Sequence, residues 1–187
     1  MSRFNNLLAL LPDMIHNRLG NYIIPGVTSA LVGGDGHGLV RMFSLDREAR
    51  DWVTPHSHRF NFTALVLAGR VHNTLFTAGR QYARTADLWC LSTIDQVCGA
   101  NGIREYTHVR ETDGNYWCQD TTTYEIGDLY SMAPQEIHSI RFERGTSVLM
   151  FEGPQVTTTS VMLEPWVNGK CVPTFRTEPW MFEKVQP

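Results

Sequence analysis

The chain has 187 residues, of which 42% are hydrophobic and 19% are charged, a composition typical of a soluble globular protein. That length is sufficient for one domain with a substantial core, and no linker divides it. The net charge of −3 argues against a nucleic-acid partner, and no apolar run is long enough to span a membrane. We therefore expect a single cytoplasmic domain over residues 1–187 that binds neither nucleic acids nor membranes.

Apolar side chains recur at close to helical spacing near the N-terminus, where Pro12 interrupts them. The pattern predicts two short helices packed on the rest of the domain, and we assign residues 1–37 to an N-terminal helical segment. Residues 33–38 are rich in glycine but lack the Lys-Ser/Thr pair of a phosphate loop. We interpret them as a turn before a strand at 39–45.

Strand-like segments follow one another from residue 39 onwards, separated by turn residues at short intervals. The predicted strands cover residues 39–45, 60–67, 70–77, 88–93, 103–109, 116–124, 129–132, 138–142 and 146–151. Strands at this spacing are typical of a jelly roll or a barrel, so we expect a mainly β fold with the barrel over residues 38–152. Gly69 and its neighbours predict a hairpin between the second and third of these strands.

Residues 153–187 are predicted to form an irregular tail that packs on the barrel. The tripeptide Glu-Pro-Trp occurs in this tail at 164–166 and again at 178–180. We interpret its tryptophans as apolar clamps that hold the tail. The alternative is that they cover the barrel mouth or a homodimer interface.

The four cysteines show neither a Cys-x-x-Cys spacing nor a dense framework of the kind found in disulfide-rich proteins. They are Cys90, Cys98, Cys118 and Cys171. We predict that all four are free thiols.

Two histidines, His56 and His58, are separated by one residue immediately before the predicted strand at 60–67. Side chains alternate with period two along an extended chain, so both imidazoles point to the same face. His138 lies behind Pro134 at the start of a distant strand and can complete a facial set of three metal ligands. The alternative is a pair of histidines satisfied by backbone partners, with His138 unrelated to them.

The segment over residues 38–152 resembles the cupin superfamily, whose two motifs it carries in order. The matching residues are His56, His58 and Gly69 for the first motif, and Gly127, Pro134 and His138 for the second. The resemblance implies a double-stranded β-helix, that is, a jelly-roll barrel. It also implies that the three histidines bind a metal ion inside that barrel.

Many cupins add a glutamate ligand within the first motif, and this chain does not. Counting forward from His58, the glutamate position falls on Thr63. Counting back from Gly69, it falls on Phe62, because the segment is one residue short. Neither side chain can supply a carboxylate.

A cupin with three histidines and no glutamate resembles the thiol dioxygenase branch, typified by cysteine dioxygenase. The resemblance implies an Fe(II) enzyme that oxidises a small metal-chelating substrate, such as a thiol, with O₂. That branch carries a histidine and a tyrosine on a late strand, near the positions of Leu149 and Phe151 in this chain. Those neighbours of the metal are therefore not reproduced.

The choice of metal decides which chemistry three neutral imidazoles can support. In octahedral geometry they leave a divalent ion with its full charge and three open positions, enough for a bidentate substrate and O₂. Zn(II) in the same site would instead hold a water with a pKa of about 7. A Zn(II) or Ni(II) isomerase or hydrolase, with Tyr130 or Glu136 as acid or base, is therefore one alternative. The other is a cupin that binds a small molecule or mediates assembly without turnover.

Overall fold

The computed structural model describes residues 16–20, 25–35, 38–45, 52–79, 86–98, 104–110, 114–172 and 183–184. Within these residues the chain forms fourteen strands and no helix. The strands are β1 His16–Gly20, β2 Val27–Asp35, β3 Gly38–Leu45, β4 Phe60–Ala68, β5 Val71–Ala78, β6 Ala86–Cys98, β7 Arg104–Arg110, β8 Asn115–Tyr124, β9 Leu129–Met132, β10 Ile137–Phe142, β11 Ser147–Gln155, β12 Thr159–Val167, β13 Lys170–Cys171 and β14 Glu183–Lys184. A search of this part of the chain finds no helix that is both long and apolar enough to cross a membrane.

The strands form two antiparallel sheets that enclose the main core. The first sheet has the order β14-β1-β2-β3-β11-β4-β9, and the second has the order β10-β5-β8-β6-β12-β13, with β7 paired to β6. Strands alternate between buried and less buried positions, as in β4, where Phe62, Ala64 and Val66 are buried. The predicted mainly β, jelly-roll type of fold is thus confirmed.

The second sheet closes on itself through residues 52–58. On the β10 side of this segment, His56 and His138 exchange both backbone hydrogen bonds, at 2.9 and 3.0 Å. On the β12 side, the Ser57 N–H donates to the carbonyl of Val161 at 2.9 Å. The pairing therefore runs in a closed ring through β10, β5, β8, β6, β12 and residues 52–58.

This closure gives the molecule two interiors, and β10 forms a wall of both. The first interior lies between the sheets, and its cluster of buried side chains includes Ile140 and Phe142. The second lies inside the ring, where Phe76, Ile137 and Leu163 form a smaller cluster. Consecutive residues of β10 face opposite interiors, which is why nearly all of its residues are buried.

Gly69 carries the chain from the first sheet to the second. It has a φ of 68°, and a Cβ there would come within 2.6 Å of the Thr146 hydroxyl and 2.7 Å of its Cα, so only glycine fits. The strands on either side of it, β4 and β5, pair with other partners. The predicted hairpin is therefore wrong, because the turn connects two sheets rather than two neighbours.

Two segments differ from their sequence-based assignment. Within residues 1–37, the described residues form β1 and β2 and contain no helix, so the N-terminal helical segment is not confirmed; residues 1–15 lie outside the described part of the chain. The glycines at 33 and 34 belong to β2 rather than to a turn. The tail is not irregular over 159–167, which forms β12 and pairs along β6.

The prediction of four free thiols is wrong for two of the cysteines. Cys90 on β6 and Cys171 on β13 form a disulfide. Cys118 is free and half-buried, and the side chain of Cys98 lies outside the described residues. Because disulfides are typical of oxidising compartments, this bond does not support the predicted cytoplasmic location.

Candidate metal centre

The structure brings the three predicted histidines together between the two sheets. His56 and His58 lie on the extended segment that leads into β4, and His138 is the second residue of β10. Their candidate ligand nitrogens all lie within 4.8 Å of one another. The Nε2 atoms of His58 and His138 are 2.9 Å apart, which is roughly the separation of two nitrogens bound at a right angle to one metal at about 2.0–2.1 Å.

Hydrogen bonds hold two of the imidazoles in the tautomer that a metal requires. The Nδ1–H of His138 donates to Oδ1 of Asn73 at 2.7 Å, and the Nδ1–H of His56 donates to the carbonyl of Thr54 at 2.8 Å. A neutral imidazole protonated at Nδ1 keeps its lone pair on Nε2. Both rings therefore present an unprotonated Nε2 to the cavity, as is common for metal-binding histidines.

All three imidazoles are held in the neutral form by their surroundings. Burial lowers the pKa of His56 from its usual value near 6.5. Burial lowers the pKa of His58 and His138 further, and the nearby His56 adds to the effect on each of them. Because a metal binds only the unprotonated nitrogen, this site is ready to bind a cation at neutral pH.

The histidines line a small and mostly apolar cavity. Its volume is about 90 Å³, which is sufficient for several water molecules. Aliphatic and aromatic side chains from both sheets form the remaining walls, and Phe62 lies edge-on to His58 with 4.8 Å between ring centroids. No carboxylate, lysine or arginine lines the cavity among the described residues.

Among the described residues that line this cavity, Tyr130 is the one whose side chain carries a hydroxyl group. The side chain is 6% exposed and stacks on Tyr124 with 4.6 Å between ring centroids. Burial raises the pKa of Tyr130 well above its usual value. The phenol is therefore neutral and can donate a hydrogen bond.

Glu136, the other predicted acid or base, lies outside the cavity. Its side chain is exposed, and its Oε2 accepts a hydrogen bond from the backbone N–H of Ala133 at 2.6 Å. The carboxylate therefore caps the turn that precedes β10. The structure does not bring Glu136 to the three histidines.

The structure also decides which residue stands at the position where many cupins carry a glutamate ligand. Phe62 faces the histidines, whereas Thr63 faces outward and shares a 2.8 Å hydrogen bond with Ser131. The same alternation turns Phe151 on β11 outward, with 43% of its surface exposed, and places Met150 in the cavity wall. An apolar ring thus occupies the space of a fourth ligand.

Asn73 is the functional residue that the sequence analysis missed. It is 3% exposed, and its Nδ2 donates to the sulfur of Met132 at 3.6 Å while its Oδ1 accepts from His138. The available signal was its position on β5, where it lies on the same inward face as Val71 and Leu75, each two residues away. A polar side chain at an inward position needs a buried partner.

The remaining histidines do not join the site where they are described. His72 on β5 contacts the hydroxyl of Thr123 at 3.0 Å and the carboxylate of Glu143 at 2.8 Å. The side chains of His16 and His108 lie outside the described residues, and His37 lies outside them entirely.

Comparison with known proteins shows only distant similarity. No family model and no curated protein matches the chain. Among solved structures, KdgF from Halomonas sp. is 13% identical with a TM-score of 0.40, over 74% of this chain and 88% of that one. A cupin superfamily protein from Desulfitobacterium hafniense DCB-2 is 12% identical with a TM-score of 0.37, over 68% and 77%.

HEPD from Streptomyces albus, solved with 2-hydroxyethylphosphonate and Fe(II) bound, is 14% identical with a TM-score of 0.43, over 76% of this chain and 25% of that one. Values this low do not indicate a reaction. The chemistry of the site has to be inferred from its own residues.

Proposed function

We propose that this protein is a metal-dependent dioxygenase of the three-histidine type. His56, His58 and His138 would hold Fe(II), and the substrate would be a small molecule that itself binds the metal, such as a thiol. The observation that supports the proposal is the convergence of three neutral imidazoles on one small apolar cavity without a carboxylate.

The residues present fit a divalent cation. Three neutral nitrogen donors converge, and hydrogen bonds from His56 and His138 to Thr54 and Asn73 hold two of them in place. A bound Fe(II) would keep its full charge and offer open positions to the substrate and O₂. For a thiol, both oxygen atoms of O₂ would enter the substrate to form a sulfinic acid, so that no outside reductant is needed.

The protein would contribute size selection, a dry environment and one proton donor. A volume of about 90 Å³ is well below the roughly 300–1,000 Å³ of usual ligand sites, so the cavity favours a small substrate. The apolar walls exclude water from the reacting groups. We assign the neutral hydroxyl of Tyr130 the role of a hydrogen-bond donor to the substrate. Among the described residues that line the cavity, Tyr130 is the one that carries a hydroxyl group.

A zinc or nickel hydrolase or isomerase is the weaker alternative. A metal-bound water could act as the nucleophile or base, but neither of the two side chains considered as its acid or base partner is suited to exchange a proton near neutral pH. Glu136 is outside the cavity, and the raised pKa of Tyr130 keeps its phenol protonated. The non-catalytic alternative is a barrel that only binds a small molecule. It differs from the proposed dioxygenase in that it would convert no substrate.

The first test is metal content, measured by inductively coupled plasma mass spectrometry after anaerobic loading with Fe(II). We expect near-stoichiometric iron in the wild type and in His72→Ala, and almost none in His138→Ala, because two imidazoles and Asn73 cannot replace the third donor. His72 is the matched control, since it lies outside the site.

Oxygen uptake with cysteine and other small thiols then tests the reaction itself. Iron-dependent uptake that disappears in His138→Ala supports the proposal. Binding of zinc or nickel in preference to iron, without oxygen uptake, would favour the hydrolase or isomerase. Retention of iron by His138→Ala would refute the ligand set.

A further inference from the structure

A second cavity lies inside the closed ring, on the opposite side of residues 52–58 from the histidines. Its volume is about 390 Å³, within the range of roughly 300–1,000 Å³ that is usual for small-molecule sites. Val53 lines both cavities, so that one extended segment separates them. Neither the three-histidine site nor its proposed reaction uses this second cavity.

Three aromatic rings form one part of its wall. Phe76 and Trp89 pack edge to face, with 5.3 Å between ring centroids. Trp52 is 42% exposed, which places it where the cavity meets solvent, and the guanidinium carbon of Arg141 lies 5.3 Å from the centre of its ring. Rings held in this way offer flat apolar faces on which a ligand can stack.

Hydroxyl and amide groups form another part of the wall. The hydroxyls of Thr74 and Thr121 are 2.7 Å apart, and the Ser139 hydroxyl donates to the carbonyl of Val53 at 2.5 Å. The amide of Gln119 is held by a 2.7 Å bond from its Nε2 to a carboxylate oxygen of Asp87. In the threonine pair one hydroxyl donates to the other, which leaves the second hydrogen and several lone pairs for a ligand.

Charge is absent from this wall: among the described residues that line it, none is acidic or basic. A charged ligand seated against this wall would lose hydration without a counterion among the lining residues, because Arg141 lies over Trp52 at the mouth and is not part of the wall. A purely apolar ligand would separate the threonine and glutamine groups from water without replacing those hydrogen bonds. The lining therefore favours a ligand that is neutral, rich in hydroxyl groups and flat enough to stack.

We propose that this second cavity binds a neutral polyhydroxylated ring of the pyranose class. One face of the ring would stack on Trp52 or Trp89, and its hydroxyl groups would bond to the wall formed by Thr74, Thr121 and Gln119. The proposal does not depend on the metal or on the proposed oxidation.

The test is isothermal titration calorimetry of the full chain, without metal, against the methyl β-glycosides of glucose, galactose and mannose. We expect saturable binding of at least one of them. Thr121→Val should weaken it about fivefold, the effect of one hydrogen bond. Trp52→Ala should weaken it by about fivefold or more through loss of the stacking face.

Thr122→Val is the matched control, because Thr122 is the next residue on β8 and does not line the cavity. Its affinity should equal that of the wild type. Thermal melting of each variant shows whether it is folded, and Trp52→Ala, at a half-exposed position, tests the proposal even if Thr121→Val is unstable. The absence of saturable binding of all three glycosides to the wild type would overturn the proposal, as would unchanged affinity in both wall variants.

Discussion

The two interiors on either side of residues 52–58 are built from the same strand and have opposite chemistry. His138 and Ile140 of β10 face a cavity of about 90 Å³, whereas Ile137 and Ser139 face the ring interior with its cavity of about 390 Å³. Period-two alternation along one strand is sufficient to separate them. A strand that is buried on both faces can therefore form part of two different sites at once.

The polar groups of the two interiors are satisfied in different ways. In the first, Asn73 and the Thr54 carbonyl accept hydrogen bonds from the outer nitrogens of His138 and His56, so that the inner nitrogens of both rings are unprotonated and directed into the cavity. In the second, the hydroxyls of Thr74 and Thr121 bond to each other. The first is prepared for a positive charge, and the second for a neutral partner.

Among the changes that distinguish the two interiors, removal of the disulfide should have the largest effect on the free energy of unfolding. Cys90 and Cys171 connect β6 to β13, on the ring side of the molecule, and close a loop with a sequence separation of 81. Cys171→Ser should lower the free energy of unfolding by about 2–4 kcal/mol. Urea denaturation measures the change, and Cys118→Ser, which removes a free thiol, is the control.

Reduction of the wild type should reproduce the loss of stability seen in Cys171→Ser while leaving iron binding by the histidines intact. A wild type whose urea midpoint is the same with and without reductant would show that the bond does not stabilise the ring.

A smaller effect, confined to the first interior, should follow from Asn73→Ala. Without Oδ1 of Asn73, the Nδ1–H of His138 loses its partner, and its tautomer and orientation are no longer held. Loss of such a supporting residue typically weakens metal binding about 10- to 100-fold. Competition with a coloured chelator measures the affinity for Fe(II).

Asn73→Asp separates positioning from simple packing, because a carboxylate can still accept the hydrogen bond. It should restore most of the affinity that Asn73→Ala loses. If wild type and Asn73→Ala bound Fe(II) with equal affinity, Asn73 would have no role in metal binding.

The smallest effect should be the contribution of a single buried histidine, per pH unit, to the pH dependence of stability in the metal-free protein. Burial keeps the pKa of His56, His58 and His138 below the value near 6.5 that these groups have when unfolded. Above pH 6.5 both states are neutral at these positions. Below it, the unfolded chain takes up protons that the folded chain does not, so each histidine lowers stability by at most about 1.4 kcal/mol per pH unit.

Urea unfolding between pH 8 and pH 5 measures this slope. His138→Asn should flatten the slope, and Thr122→Val, which removes no titratable group, should not. A slope that is unchanged in His138→Asn would mean that the buried imidazole of His138 does not titrate as its surroundings indicate.

Local patterns in the sequence determined much of the fold and the core of the site. Alternating apolar residues predicted the strands from β3 to β11 within a few residues, because period two is a property of the extended chain itself. The same parity placed His56 and His58 on one face. Of the strands that the structure describes, the five nearest the termini, β1, β2, β12, β13 and β14, were missed. The two long ones, β2 and β12, show no clear alternation of apolar and polar residues.

Only the tertiary structure decided how distant segments meet. Counting along the sequence could not decide whether Phe62 or Thr63 stands at the glutamate position. In the folded sheet it is Phe62 that faces the histidines. The partner of His138, the pairing of Cys90 with Cys171 and the closure of the ring all join residues that are far apart in the chain. Such contacts depend on sheet order and register, and these are set by the packing of the whole core rather than by any local pattern.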